Sequence, residues 1–383
     1  MITPVERTSF RDGFEKIVNT YHTLKKVIED AGYTTGLGDE GGFAPDLKNS
    51  EEALQILHDA IIKAGYTPGK EIAIAFDAAA SYFYNQTTHN YDFEGKTYTP
   101  AALGDYYLQL LASIDIQEFM ITPVERTSFR DGFEKIVNTY HTLKKVIEDA
   151  GYTTGLGDEG GFAPDLKNSE EALQILHDAI IKAGYTPGKE IAIAFDAAAS
   201  YFYNQTTHNY DFEGKTYTPA ALGDYYLQLL AKFPEIVSIE DPYGEEDWDN
   251  FASFTAAHGD QLQIVADDPV CTNPQLIRQA IQRGMANNIL IKLNQIGTVT
   301  ETLAAIRLAR KNGYATMMSH RSGETGDTFV ADFTVATNAA QLKAGAPARS
   351  ERVEKYNQLL RIEEELGADG ARLAHFPNNV MFD

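Results

Sequence analysis

Three acidic residues each close a short apolar run: Ile191-Ala-Ile-Ala-Phe-Asp196, Ile236-Val-Ser-Ile-Glu240 and Ile264-Val-Ala-Asp267. A fourth run, Ile289-Leu-Ile-Lys292, closes on a lysine, and a fifth, Ala315-Thr-Met-Met-Ser-His320-Arg321, on a histidine and an arginine. Asp196, Glu240 and Asp267 offer hard oxygen ligands with no His/Cys set at zinc spacing, a donor set that suits Mg²⁺ completed by water and substrate oxygens. Lys292 lies among these ligands; if the cations Arg321 and Lys343 approach it, its pKa is predicted to fall, freeing a neutral amine to act as a base. Glu118 and Glu159, the latter in the turn Gly157-Asp-Glu-Gly-Gly161, form a carboxyl pair. In a low-dielectric cleft one member of such a pair keeps its proton at neutral pH and can deliver it to a leaving hydroxyl. Arg321 with Ser322 supplies donors suited to phosphate. A base beside a metal, an acid opposite and a phosphate clamp describe β-elimination next to a carboxylate, for which lysine with Mg²⁺ is an established combination.

Each residue alone has an ordinary explanation. Asp196 could cap a following helix, Glu240 and Asp267 could pair with surface lysines, and Lys292 could be a solvated strand end. Five such runs ending in charge in one chain make coincidence a poor account. Near-continuous apolar runs suit buried parallel strands, and helical stretches such as Pro274 to Arg283 and Thr298 to Lys311 lie between them. Alternating strands and helices with charge at one end of the strands predict an α/β fold, a β/α (TIM-like) barrel with its chemistry at the C-terminal face.

Upstream, Phe129, Phe133, Ile136, Val137, Tyr140, Leu143, Val146 and Ile147 fall at helical spacing, with Gly151 as the stop. A second helix is predicted from Asn168, with Glu171 as capping partner, to near Gly184. This region is written twice: residues 1–112 recur without a change as 120–231. Architectural repeats have periods of about 20–50 residues and diverge, so a recent tandem duplication is the simpler reading. Ser113 to Phe119 runs into Met120-Ile121 as a strand-like alternation, whereas the first copy begins at Met1. The second copy is therefore the one in natural context. The predicted organisation is a duplicated partial barrel segment over 1–112, a catalytic barrel over 113–367 and a tail over 368–383.

The 383 residues allow a barrel of about 250 residues plus further structure. A formal charge of −23 disfavours a nucleic-acid surface, and no apolar run approaches the ~20 residues of a membrane span. Cys271 is the sole cysteine, so no intrachain disulfide is possible, and the start of the chain lacks a secretory pattern. A cytoplasmic location is the expectation.

Five blocks, Gly157-Asp-Glu-Gly-Gly-Phe-Ala-Pro164, Ser238-Ile-Glu-Asp-Pro242, Ile289 to Thr298, Ser319-His-Arg-Ser-Gly-Glu-Thr325 and Ala346-Pro-Ala-Arg-Ser-Glu-Arg352, closely resemble the enolase family over about residues 114–367. The resemblance implies that Asp196, Glu240 and Asp267 bind Mg²⁺ and that Lys292 takes the C2 proton of 2-phosphoglycerate. It implies that Glu159, assisted by Glu118, protonates the departing hydroxyl, that His320, Arg321, Ser322 and Lys343 hold phosphate and carboxylate, and that phosphoenolpyruvate is the product. A homodimer is also implied. Acid-sugar dehydratases of the wider superfamily typically carry Lys-x-Lys on the second strand, where this chain has Gln117-Glu118-Phe119. Nothing here matches the family's N-terminal domain, whose mobile loop supplies a serine to a second Mg²⁺, or the first barrel strand and its histidine-bearing loop. Impaired activity is one expectation from that difference, and an inactive enolase-like barrel serving as a binding or scaffold protein, or a rearranged gene product, is the alternative. The first-copy strand Ile72 to Asp77 is not expected to take the first slot, because a helix over Pro100 to Ala112 would return the chain to the wrong end. Only Glu159 and Asp196 of the second copy, not Glu40 and Asp77 of the first, are expected to serve the site.

Overall fold

The computed structural model describes residues 1–38, 41–100, 103, 115–164 and 166–374. The chain divides into two compact units, Met1–Ala112 and Ser113–Asp383.

The second unit is built on a seven-stranded sheet. Its strands are β1 (Glu118–Pro123), β2 (Ile191–Asp196), β3 (Ile236–Glu240), β4 (Gln263–Ala266), β5 (Asn288–Ile291), β6 (Ala315–Ser319) and β7 (Gln341–Lys343). They follow one another in the sheet in chain order. From β2 to β7 every neighbouring pair is parallel, while β1 runs antiparallel to β2. All six residues of β2 are buried, as the apolar run predicts for a strand covered on both faces. The parallel strands therefore deliver Asp196, Glu240, Asp267, Lys292, His320 and Lys343 to one end of the sheet. Glu118 reaches the same end by the opposite route, because β1 begins where the others finish and Glu118 pairs with Asp196 in the antiparallel register.

Two helices follow β1: α1 (Phe129–Asp149) and α2 (Ser169–Lys182). The Ser128 side chain accepts the Asp131 N–H and the Asn168 side chain accepts the Glu171 N–H, so both begin at a cap. Between β2 and α3 (Pro219–Lys232) lies a small antiparallel ribbon, Tyr203–Asn204, Asn209–Phe212 and Lys215–Tyr217. The strands then alternate with α4 (Trp248–His258), α5 (Pro274–Arg283), α6 (Val299–Lys311), α7 (Phe329–Ala336) and α8 (Ser350–Gly370). Asn273 and Thr298 cap α5 and α6. One continuous apolar core joins Ile191, Phe195, Tyr226, Ile239, Ile264 and Ile289, all at or near zero exposure.

In the first unit the same sequence repeats the same local choices. Helices Phe10–Asp30 and Ser50–Lys63 carry the same caps, Ser9 and Asn49, and enclose a small core of Val27, Ile28, Ile56 and Ala60. Strand Ile72–Ile74 pairs with Ile2–Pro4, its one strand partner among the described residues, and is half the length of its twin β2. The cause is tertiary: β2 gains a parallel neighbour in β3, and Phe195 is fully buried where its twin Phe76 is 38% exposed. Glu40, most of the helix expected over Pro100 to Ala112, and residues 375–383 of the tail lie outside the described residues.

Candidate active site

Lys343 on β7 is the hub of the charged end. Its side chain is buried, and Nζ donates to Asp196 Oδ2 at 2.9 Å and to both Glu240 oxygens at 3.1 Å, and lies 3.0 Å from Glu118 Oε2. Lys292 Nζ bonds Asp267 Oδ2. The three carboxylates expected to bind metal are 5%, 1% and 4% exposed for Asp196, Glu240 and Asp267, too dry to be surface ion-pair partners. Asp196 Oδ1 also accepts the Ala198 N–H at 3.0 Å, a bond within its own turn rather than a helix cap, and its second oxygen faces the cluster.

Four carboxyl groups, Glu118, Asp196, Glu240 and Asp267, thus face two ammonium groups, a formal excess of two negative charges if every group ionises. Burial, then the charge of Asp196, pushes Glu240 well above the usual carboxylate range. Burial also raises Glu118, with a hydrogen bond to Glu159 adding to it against the pull of Lys343. Burial alone would lower Lys343, but Asp196, Glu118 and Glu240 hold it well above an ordinary lysine, so it stays an ammonium. Lys292 corrects the expectation of a lowered pKa: burial lowers it, but Asp267 in direct contact and Glu240 behind it outweigh that and raise it. Lys343 opposes only weakly, because the nearest charge to Lys292 is a carboxylate rather than a cation.

The residues present fit a hard divalent cation. Asp267 Oδ1 is buried without a hydrogen-bond partner, an oxygen with a lone pair to give. A doubly charged ion would match the two surplus negative charges. The groups of described residues whose ligand atoms fall within 4.8 Å of one another are Asp241, Asp267 and Asp268, and Glu118, Glu159 and His320; Asp196 and Glu240 instead turn toward Lys343.

Glu159 sits in the 157–161 turn, with Oε2 3.0 Å from His320 Nε2. Its backbone carbonyl accepts the Ala346 N–H at 2.9 Å. That approach requires glycine: a Cβ on Gly345 would meet Glu159 O at 2.6 Å, and one on Gly160 would meet Ala348 O at 2.7 Å. Arg321 is half-buried and donates to Asn294 Oδ1 at 3.1 Å, while Ser322 is exposed beside it. Asp77, twin of Asp196, is exposed in the first unit.

Sequence reasoning missed Asp241, Thr272 and Arg352. Asp241, at the left-handed φ of 42°, accepts the N–H groups of Asp267 and Asp268 at 2.9 Å each and so fixes the turn that carries Asp267. Its place directly after Glu240 and before Pro242 was the available signal. Thr272 Oγ1 accepts the Lys292 N–H at 2.9 Å. Arg352, the last residue of a block already singled out, is fully buried.

Comparison with known proteins accords with this geometry. The family described as "Enolase, C-terminal TIM barrel domain" matches twice, over residues 1–113 and 109–376, as the duplication requires. "Enolase 2" of Lactiplantibacillus plantarum is 99% identical over 270 residues, 70% of this chain and 63% of that protein. "Enolase 1" of Lactobacillus gasseri is 69% identical and "Enolase" of Lactobacillus helveticus 67% identical over the same shares. The aligned part of the chain thus spans 63% of the length of these relatives. No helix among the described residues is long and apolar enough to cross a membrane. A β/α sheet that gathers buried carboxylates, two lysines and an acid pair at one end, matched by this family along nearly its whole length, places the chain in the enolase C-terminal TIM barrel family.

Proposed function

We propose that residues 113–367 form a hydro-lyase that converts 2-phosphoglycerate to phosphoenolpyruvate and water with Mg²⁺, and that residues 1–112 take no part in the chemistry. The observation that carries this reading is the placement of a base and an acid pair at one sheet end but on separated strands. Lys292 follows β5, whereas Glu118 opens β1, with β2, β3 and β4 between them. A substrate laid across that end meets a base on one side and an acid on the other.

Asp196, Glu240 and Asp267 would hold Mg²⁺, which supplies positive charge to a carboxylate that gains a second negative charge. Asp267 keeps Lys292 protonated in the metal-free site, and that proton would leave first, once Asp267 turns to the metal. As the free amine, Lys292 then takes the proton from C2, and the electron pair moves onto the substrate carboxylate. The C3–O bond then breaks, and the leaving hydroxide takes a proton from Glu159 to depart as water. Glu118 supports this step, since burial and its hydrogen bond to Glu159 raise its pKa and so favour a proton shared within the pair. Lys343 stays charged and serves as an electrostatic clamp. Arg321 and Ser322 take the phosphate, with Asn294 holding the guanidinium in place until it does.

Ultraviolet absorbance of phosphoenolpyruvate, followed on adding 2-phosphoglycerate to the full chain with Mg²⁺ and again with chelator, tests the proposal. Formation that needs Mg²⁺ supports it. No formation at any Mg²⁺ concentration refutes it.

A further inference from the structure

We infer that Arg352 is a positioning residue that fixes the tautomer of His320, placing the ring hydrogen on Nε2, the nitrogen beside Glu159. Arg352 is fully buried, and none of its hydrogen bonds goes to a carboxylate. Nη1 donates to His320 Nδ1 and to the Arg321 carbonyl at 2.7 Å. Nη2 donates to the Asp158 carbonyl at 3.1 Å and the Ser322 carbonyl at 2.7 Å. A buried guanidinium held by carbonyls and an imidazole is costly relative to an apolar side chain, which points to a use beyond packing.

The use follows from donor chemistry. A guanidinium has N–H groups and no acceptor, so the atom facing it at His320 must present a lone pair. Nδ1 is that atom, and a neutral ring then carries its hydrogen on Nε2. Nε2 lies 3.0 Å from Glu159 Oε2 but makes no hydrogen bond, so its hydrogen is held beside the acid without a partner among the described residues. The same arrangement withholds His320 from metal. Glu118, Glu159 and His320 bring their ligand atoms within 4.8 Å of one another, but a protonated Nε2 has no lone pair to give. Divalent ions are thereby directed to the Asp196, Glu240 and Asp267 side.

The surroundings as a whole hold His320 down at about 3: burial is the largest influence, and Arg352 on α8 and Lys343 on β7 lower it against Glu118 on β1 and Glu324 in the loop after β6, which raise it. Gaining a second ring proton would require Nδ1–H to face the guanidinium. His320 therefore stays neutral wherever the enzyme works.

This inference rests on the proposed dehydration for its purpose but not for its test. The full chain, labelled with ¹⁵N-histidine, is observed by long-range ¹H–¹⁵N correlation from pH 5 to 8, with the His320 signal identified by its loss in His320→Asn. The expected pattern is a neutral ring with Nε2–H, unchanged across that range. Arg352→Lys, which still offers only donors, should keep it. Arg352→Met should lose it, with the His320 titration moving up by more than one pH unit, about tenfold in proton affinity. A ring that is Nδ1–H or doubly protonated at pH 7 in the parent chain overturns the inference, and that measurement stands even where Arg352→Met fails to fold. A folded Arg352→Met with an unchanged tautomer and titration overturns it equally. Turnover separates the two readings: a chain that forms no phosphoenolpyruvate yet shows the Arg352-dependent tautomer refutes the proposed reaction and supports the positioning role.

Discussion

Asp196→Asn and Asp77→Asn are the same substitution in the same local sequence, and the structure gives them opposite consequences. Asp196 is buried 2.9 Å from Lys343, whereas Asp77 is exposed and its carboxylate accepts the Ala79 N–H. At roughly 4 Å and an effective dielectric near 20, one charge pair is worth about 4 kcal/mol. Removing the Asp196 charge loses its attraction to Lys343 but also relieves its repulsion of Glu240, in a cluster with surplus negative charge. The two nearly offset, so metal-free stability should move by about 1 kcal/mol or less in either variant. Binding is another matter, because one of three carboxylate ligands is gone. Mg²⁺ at about a hundredfold above its Kd stabilises the parent by ~2.7 kcal/mol, or about 5–10 °C in the melting of a unit of this size. Scanning calorimetry with Mg²⁺ and with chelator should show that rise in the parent and in Asp77→Asn, and less than about 2 °C of it in Asp196→Asn. An undiminished rise in Asp196→Asn would remove that residue from the metal site. Equal partial losses in the two variants would mean that the copies exchange places in the barrel.

The duplication provides a second control: Phe133 stacks on Tyr356 with ring centroids 4.8 Å apart, while its twin Phe14 is 56% exposed. Phe133→Ala should cost about 2 kcal/mol in urea unfolding and Phe14→Ala less than about 0.5, and equal costs would refute the packing argument. Acidity gives a third test. Asp268 is raised from 3.8 to about 6, by burial first and then by Asp267. Since its folded pKa lies above the unfolded one, its contribution is full below about pH 4 and is lost as pH rises through about 6. That shift amounts to roughly 3 kcal/mol, so the metal-free stability difference between Asp268→Asn and the parent should change by about that much across the window. A difference that stays flat with pH would show that Asp268 titrates normally in the fold.

Strands β2 to β6 were legible because each is an apolar run closed by charge, and the start of α2 because Asn168 is a cap with helical spacing behind it; the caps Ser128 and Asn273 emerge only from the structure. The candidate residues were legible as types at strand ends, yet their pairing was not. Lys343 is the clearest case: nothing in Gln341-Leu-Lys343 reveals that a three-residue strand places its ammonium among Glu118, Asp196 and Glu240. The Lys292 expectation erred for the same reason, since the sequence shows which charges exist but not which is nearest. Arg352 was hidden because three of its four partners are backbone carbonyls, which carry no sequence signature, and the fourth is the ring of His320. The twin strands show the limit from the other side: one sequence yields six paired residues in β2 and three in the first unit, because β2 also has β3 and the half-strand Glu118-Phe119 to pair with.

The assignment of Lys292 as base and Glu159 as acid is tested most directly by proton NMR of 2-phosphoglycerate in D₂O with Mg²⁺, comparing the parent chain with Lys292→Ala and Glu159→Gln. The parent should both exchange the C2 hydrogen for deuterium and form phosphoenolpyruvate. Glu159→Gln should keep the exchange and lose the product, because proton removal at C2 precedes departure of the hydroxyl. Lys292→Ala should lose both. Persistent C2 exchange in Lys292→Ala, at a rate near that of the parent, would contradict the account.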